Sequence, residues 1–401
     1  MRKEAIGVII AGFFTVFLAY ATRYAYGLLL PQMLPVLNVS KAEAGVVYST
    51  YFIAYTICSP FIGFLADRTG SRFLLTLFMA ILGIGAFLMS YASTLFQAAL
   101  FFGLVGIGHS ASWVPLVALV QKWVSEKRRG AALAVVDLGS ATGIVSWSLL
   151  IPVIVNHFSW REGWMCIGMS AVVVVVLNFL LIKDRPPEVS DLESKPDRKS
   201  NEIPIKQLYS ELFRETNFWV IGLSYLFIAF AILIPYTFLT SYAVKELSVP
   251  YGSAAGLVAV IATSGLFGKL GLGYFSDIVG RKKIMMVCCI LVASGGFGMT
   301  LAKGFNSLVM SAAVLGFGYG AIWPVWAAST RDFFSKAIAG SVIGFWTVLL
   351  GIGSVLSPIV AGWAVDLSGS YTWAFALVVA SALLSLILLI PIKKKRSNKK
   401  E

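Results

Sequence analysis

The segment "GFLADRTGSRF", from Gly63 to Phe73, places Asp67, Arg68 and Arg72 close to Gly70 in a chain that is otherwise very apolar. A close copy, "GYFSDIVGRKK", runs from Gly273 to Lys283. The two segments begin 210 positions apart, and each lies between two long apolar stretches. A charged turn that recurs at such a spacing predicts a chain built from two similar halves.

The composition excludes an ordinary soluble domain. Of the 401 residues, 58% are hydrophobic and only 13% are charged, whereas a soluble domain carries about 25% charged residues. The apolar residues come in runs of about 20, which is long enough for a helix to cross a bilayer. The four cysteines lie in apolar runs without metal-ligand spacing, and no nucleotide-binding loop is present. We therefore expect an all-α membrane protein with no metal, cofactor or catalytic residues.

Twelve apolar spans are predicted along the chain. A polar segment rich in Pro, Ser and charge divides them into six and six. The predicted organisation is an N-terminal bundle (1–182), a linker (183–217), a C-terminal bundle (218–392) and a basic tail (393–401). The predicted spans are 5–37, 44–66, 73–92, 95–122, 130–156, 162–182, 218–244, 251–275, 283–302, 305–330, 338–366 and 370–392.

The basic residues predict the orientation of these spans. If both termini are cytoplasmic, cytoplasmic segments hold 26 of the 32 Lys and Arg residues, and outward segments hold four. This asymmetry obeys the positive-inside rule, so we expect a multi-pass protein of the plasma membrane, the inner membrane of a prokaryote. It also accounts for the net charge of +13 through contact with anionic lipid, and nucleic acid is not an expected partner.

The two halves also match outside the charged turns. The segment "GLVGIGHSASWVP" in span 4 is similar to "GFGYGAIWP" in span 10, and "FSWREGW" before span 6 is similar to "GSYTWAF" before span 12. Together with the two charged turns, this pattern resembles the major facilitator superfamily over essentially the whole chain. The resemblance implies two six-helix pseudo-repeats that rock around a central site, with alternating access and no covalent chemistry.

The charged turns match the superfamily loop G-x-L-A-D-x-x-G-R-[KR]. In the first copy Ser71 departs from the pattern, because a basic residue is usual there. In the superfamily the loop is thought to latch the cytoplasmic side closed in one state, which implies a gating role for Asp67, Arg72, Asp277 and Arg281. Lys and Arg in these turns would also satisfy the positive-inside rule alone, whereas topology does not require the aspartates.

Four ionisable residues are predicted at membrane depth, namely Arg23, His109, Asp137 and Lys269. A charge there is costly unless it is paired or hydrated, so each is a candidate functional residue. Arg23 has no acidic residue within two helical turns, and it can bind a carboxylate with two hydrogen bonds. His109 can contact substrate or carry a proton, or serve only in helix packing. The aromatic residues that can line the cavity, with packing as the alternative, are Trp113, Trp323, Trp346, Tyr24 and Tyr319.

Asp137 and Lys269 are predicted to form an ion pair. Each lies eight residues from the cytoplasmic end of its span, at a depth of about 12 Å. In the superfamily, spans 5 and 8 face each other across the seam between the halves. Opposite charges at equal depth on facing helices should pair there, because either charge alone would be costly. Such a pair can act as a gate or take part in coupling.

Within the superfamily, the chain resembles the monocarboxylate transporters and the oxalate/formate antiporters. In that branch a cation at the position of Lys269, usually Arg, engages the substrate carboxylate. Span 11 holds no Lys or Arg, so a dicarboxylate site with two cations from the second half is not expected. The resemblance implies a monomeric transporter of a small organic anion, coupled to protons or to a counter-anion. The alternatives are efflux of an amphipathic drug and a non-transporting sensor of the same fold.

Overall fold

The computed structural model describes residues 3–184, 212–334 and 338–392, without the side chains of Lys3, Asp67 and Ala339. Twelve spans within these residues are long and apolar enough to cross a membrane, as predicted. Most of the predicted linker 183–217 and the whole tail 393–401 lie outside the described residues. The helices of the first six spans are Lys3–Leu37, Lys41–Thr69, Ser71–Met89, Leu95–Ser110 with Val114–Trp123, Glu126–His157 and Trp160–Leu181. Those of the last six are Thr216–Lys245, Tyr251–Val279, Arg281–Thr300, Phe305–Gly320 with Ile322–Phe333, Ala339–Ser368 and Thr372–Leu389.

The glycines of the repeated turn explain why spans 2 and 3, and spans 8 and 9, follow each other without a loop. Gly70 has φ +84° and Gly280 has φ +101°, and each is the single residue between two helices. A residue with a side chain rarely adopts these angles, whereas glycine does so at little cost. The sequence repeat is therefore also a repeat of backbone conformation.

Spans 4 and 10 are each interrupted, although the sequence predicted one continuous helix in both places. Span 4 breaks between Ser110 and Val114, and span 10 breaks at Ala321. Pro115 and Pro324 follow the two breaks, and neither can donate a backbone hydrogen bond to the preceding turn. Broken helices at matching positions in the two halves are typical of transporter folds.

The spans pack in the same order in both halves. Span 1 packs against span 5 as span 7 packs against span 11, and spans 2 and 4 pair as spans 8 and 10 do. Among the described residues, the halves pack most extensively through spans 2 and 11, spans 5 and 8, and spans 1 and 7. The seam between the halves therefore runs through the middle of the molecule.

The halves approach each other closely towards one end of the bundle. We call the end with Gly70 and Gly280 the basic face, and the end with Lys41 and Lys245 the opposite face. Towards the opposite face, a methyl group built on Gly27 of span 1 would overlap the backbone of Tyr236 in span 7. The halves therefore pack backbone to backbone on that side.

Candidate functional site

Arg23 lies in span 1 among aromatic rings and makes no ion pair with any described residue. Its guanidinium carbon is 4.7 Å from the centre of the Phe52 ring and 5.1 Å from that of Tyr24. Tyr20 and Tyr51 approach it at 5.9 Å and 5.7 Å. The aromatic faces stabilise the cation without neutralising it. Its Nε atom is buried and has no hydrogen-bond partner, while the residue as a whole is only partly buried.

Three tyrosines close the space beside Arg23 across the seam. The Tyr24 hydroxyl is 3.2 Å from the hydroxyl of Tyr319 in span 10. The centre of the Tyr24 ring is 4.0 Å from that of Tyr236, which is in turn 5.5 Å from that of Tyr319. Both halves thus contribute to one aromatic cluster around Arg23, in which the predicted residues Tyr24 and Tyr319 meet. Its members are Tyr20, Tyr24, Tyr48, Tyr51, Phe52, Tyr55, Tyr236 and Tyr319.

His109 lies against the same cluster from span 4. Its ring centre is 5.1 Å from that of Tyr20 and 5.7 Å from that of Tyr51. The residue is almost fully buried, and its Nδ1 atom has no hydrogen-bond partner. The buried hydroxyl of Tyr51 also has no partner. Buried polar atoms of native proteins are usually satisfied, so this group of atoms has unused capacity for hydrogen bonds.

The predicted ion pair between Asp137 and Lys269 is present. The Lys269 Nζ atom donates to Asp137 Oδ2 across the seam between spans 5 and 8. The two side chains remain 27% and 32% exposed, so water or a ligand can reach them.

The three predicted tryptophans do not join the aromatic cluster around Arg23. Trp346 is buried near the basic face, where its Nε1 donates to the carbonyl of Phe218 at 2.9 Å. Trp323 is 44% exposed and contacts Tyr225 at 6.1 Å between ring centres. Trp113 caps the second helix of span 4 and packs against apolar residues of the first half. The packing alternative therefore describes Trp346 and Trp113 better than a cavity-lining role does.

The family of the chain follows from comparison with known proteins. The model of the Major Facilitator Superfamily matches residues 12–277 and 257–401. The chain belongs to the Major Facilitator Superfamily. The crystal structure of a mutant of the nucleoside transporter NupG has the same fold as this chain, with a TM-score of 0.80. The two sequences are 15% identical, and the match covers 95% of this chain and 98% of that one.

The curated relatives of this superfamily chain include carriers of organic acids and one sensor. It is 26% identical to the hexuronate transporter of Bacillus subtilis, over 94% of this chain and 91% of the relative. It is 25% identical to monocarboxylate transporter 12 of Xenopus laevis, over 87% and 80%. It is 22% identical to the membrane sensor protein UhpC of Salmonella typhimurium, over 94% and 90%.

The superfamily loop of the second half forms a local network. Arg281 donates from Nη2 to Asp277 at 2.9 Å and from Nη1 to Asp332 at 2.5 Å. Asp332 is in the last turn of span 10, so the network ties the loop to its own half. The sequence analysis assigned a gating role to Arg281 and Asp277 but did not single out Asp332.

The superfamily loop of the first half uses a different partner. The backbone N–H of Arg72 donates to the Asp184 carboxylate at 2.9 Å, and the Arg72 guanidinium carbon is 4.4 Å from the centre of the Phe179 ring. Asp184 follows span 6, so it caps span 3 within the same half. The side chain of Asp67 lies outside the described part of the chain, and its predicted gating role stays a prediction.

Several residues of the aromatic cluster were missed from the sequence. They include Tyr20 in span 1 and the run Tyr48, Tyr51 and Tyr55 in span 2. The three tyrosines of span 2 follow one another at intervals of three and four residues, which places them on one face of a helix. That spacing was the signal that could have identified the face of span 2 turned toward Arg23.

Proposed function

We propose that the protein is a secondary transporter that moves a small organic anion, specifically a monocarboxylate, by alternating access. The observation that carries this proposal is Arg23, a central guanidinium with a buried Nε that lacks a partner and with no ion pair among the described residues. The named substrates of two relatives, a hexuronate and monocarboxylates, are carboxylates as well.

In this proposal Arg23 binds the substrate carboxylate. Two parallel hydrogen bonds from guanidinium to carboxylate fix both position and orientation. The surrounding rings of Phe52, Tyr24 and Tyr51 exclude water, which strengthens the attraction between the two charges. His109 and the Tyr51 hydroxyl supply hydrogen bonds to a second polar group of the substrate.

The Asp137–Lys269 pair provides the coupling. A proton on Asp137 would release Lys269, and a substrate carboxylate could instead replace Asp137 as the partner of Lys269. Either exchange changes the force that holds spans 5 and 8 together at the seam. The coupled ion is then a proton or a counter-anion.

The remaining roles follow the same scheme. Asp67, Arg72, Asp277 and Arg281 stabilise the basic face in one access state. The basic face is cytoplasmic, and the protein acts as a monomer in the plasma membrane.

Two alternative functions are each favoured by one observation. The abundance of aromatic rings around Arg23 would also suit an amphipathic drug, in which case Arg23 and Lys269 could be neutralised without loss of transport. The similarity to UhpC is compatible with a sensor that binds a ligand without moving it.

An uptake assay distinguishes these functions. Purified protein in proteoliposomes is offered labelled lactate, pyruvate, acetate and glucuronate, with and without a pH gradient. The proposal predicts saturable uptake of at least one carboxylate, with a dependence on the gradient or on a trapped counter-anion. Binding of a carboxylate without uptake would favour the sensor. If none of the four carboxylates is bound or taken up, that result would contradict the proposal.

A further inference from the structure

A carboxylate from the second half caps a helix of the first half at the opposite face. Asp366, near the end of span 11, accepts hydrogen bonds from the backbone N–H groups of Lys41 at 3.2 Å and Ala42 at 2.8 Å. Its Oδ1 atom is also 3.5 Å from Lys41 Nζ. A negative charge at the start of a helix binds the free N–H groups there and is stabilised by the helix dipole.

Span 2 has its own cap, and it leaves these two groups free. Ser40 accepts from the backbone N–H of Glu43, and the Glu43 carboxylate accepts from that of Ser40. This capping box satisfies neither Lys41 N–H nor Ala42 N–H. The capping of span 2 is thus completed by the other half, and it is completed only while the two halves are together at this face.

The same contact is tight enough to require glycine on both helices. A methyl group on Gly45 would overlap the carbonyl oxygen of Pro358, and one on Gly362 would overlap that of Lys41. Slightly deeper, the hydroxyl of Ser49 donates across the seam to the carbonyl of Val355 at 2.6 Å. Small residues at such positions allow membrane helices to approach closely.

We propose that Asp366, Gly45 and Gly362 form a latch, the opposite-face latch, which holds that face closed and sets the balance between the two access states. The inference rests on the alternating access of the proposed function but not on the anion site. Loss of the latch frees two N–H groups at the open face, where water can satisfy them. The open state is therefore accessible, and the latch determines how often it is visited.

The test measures the separation of the halves without any substrate. Spin labels are attached at Tyr91→Cys and Leu301→Cys, which are exposed, equivalent positions of the two halves near the opposite face, in protein without its native cysteines. Pulsed electron spin resonance then gives the distribution of distances between the labels. In protein with the unaltered latch, the opposite face is mainly closed, so the distance between the two labels should be mainly the short one. Asp366→Ala should raise the ratio of long to short distances about tenfold, because charged hydrogen bonds are lost.

Two glycine pairs serve as test and control. Gly45→Ala and Gly362→Ala should also favour the long distance. Gly130→Ala and Gly344→Ala should leave the distribution unchanged, since a methyl group at either position meets no atom within 4 Å and both lie outside the superfamily loops. If a latch glycine variant does not fold, Asp366→Ala decides alone. An unchanged distribution in folded Asp366→Ala protein would overturn the latch, and carboxylate binding at Arg23 would be unaffected by that result.

Discussion

At the scale of single residues, Arg23 shows how a membrane protein retains a charge that makes no ion pair with any described residue. The cation lies between aromatic faces at distances of 4.7 to 5.9 Å, and part of its surface stays exposed. These contacts offset part of the cost of desolvation and leave the hydrogen-bonding edge of the guanidinium for a ligand. The sequence identified Arg23 because a charge in an apolar run is rare. It did not identify Tyr20 or Tyr236, because a tyrosine on a membrane helix can equally face lipid, core or cavity.

Replacement of Arg23 tests its role in binding. Arg23→Ala should weaken carboxylate binding by about 2–5 kcal/mol, because the substrate loses its partner in a desolvated site. Arg23→Lys should restore binding only in part, since an ammonium group lacks the two-pronged geometry. Isothermal titration of the purified variants measures both effects. Arg68→Ala is the control, because that side chain is exposed at the basic face. Equal affinity of Arg23→Ala and the unaltered protein would assign Arg23 to structure alone.

The ion pair across the seam gives a second prediction at this scale. Asp137→Asn and Lys269→Gln should each impair transport and lower stability by about 1–3 kcal/mol, a loss limited by the partial exposure of the pair. The charge swap, Asp137→Lys with Lys269→Asp, should recover stability more than transport, because it restores the attraction but not the site. Thermal unfolding and uptake are measured on the same preparations.

Crosslinking reports whether this pair separates during transport. In protein without its native cysteines, Asp137→Cys and Lys269→Cys should form a disulfide at a rate that depends on added substrate. Failure of a folded double variant to crosslink under every condition would be inconsistent with a pair that forms at the seam.

At the scale of helices, span 5 packs on span 1 through two glycines one turn apart. Gly139 lies against the carbonyl of Phe13, and Gly143 lies against that of Phe17. The sequence predicted the twelve spans well because an apolar run of sufficient length has few other stable conformations in lipid. It did not predict the breaks in spans 4 and 10, because a proline inside a membrane helix is compatible with a bend as well as with a break.

Enlarging one of these glycines should loosen the pair of helices. Gly143→Ala places a methyl group on the Phe17 carbonyl and should cost about 1–3 kcal/mol of stability. Gly130→Ala in the same span meets no atom within 4 Å, so it should be neutral or slightly stabilising. The melting temperatures of the two variants provide the comparison. A Gly143→Ala protein as stable as Gly130→Ala would show that spans 1 and 5 can move apart at this contact without loss of stability.

At the scale of the whole molecule, polar contacts join the two halves at two levels. Asp366 binds span 2 at the opposite face, and Lys269 binds Asp137 inside the bundle on the side of the basic face. The repeat in the sequence predicted two halves, and the resemblance implied the contact of spans 5 and 8, but neither indicated the contact of Asp366 with span 2. Contacts such as Asp366 with Ala42 join residues 324 positions apart, and no local pattern marks them. Charge asymmetry, in contrast, is a property of the whole chain, and it predicts the orientation directly.

Labelling of single cysteines tests that orientation. In intact cells and without the native cysteines, Lys245→Cys should react with an impermeant maleimide, because it lies at the face predicted to be outward. Ser200→Cys, in the predicted linker, should react only after the membrane is permeabilised. The reverse pattern would invert the orientation proposed for the basic face.

The most direct test of the central claim is uptake of a labelled monocarboxylate into proteoliposomes by the unaltered protein, Arg23→Ala and the control Arg68→Ala. A carboxylate taken up by the unaltered protein should be taken up equally by Arg68→Ala, and its uptake by folded Arg23→Ala should fall at least tenfold, in line with the loss of a desolvated charge pair. Equal uptake by all three proteins would contradict an anion transporter built around Arg23.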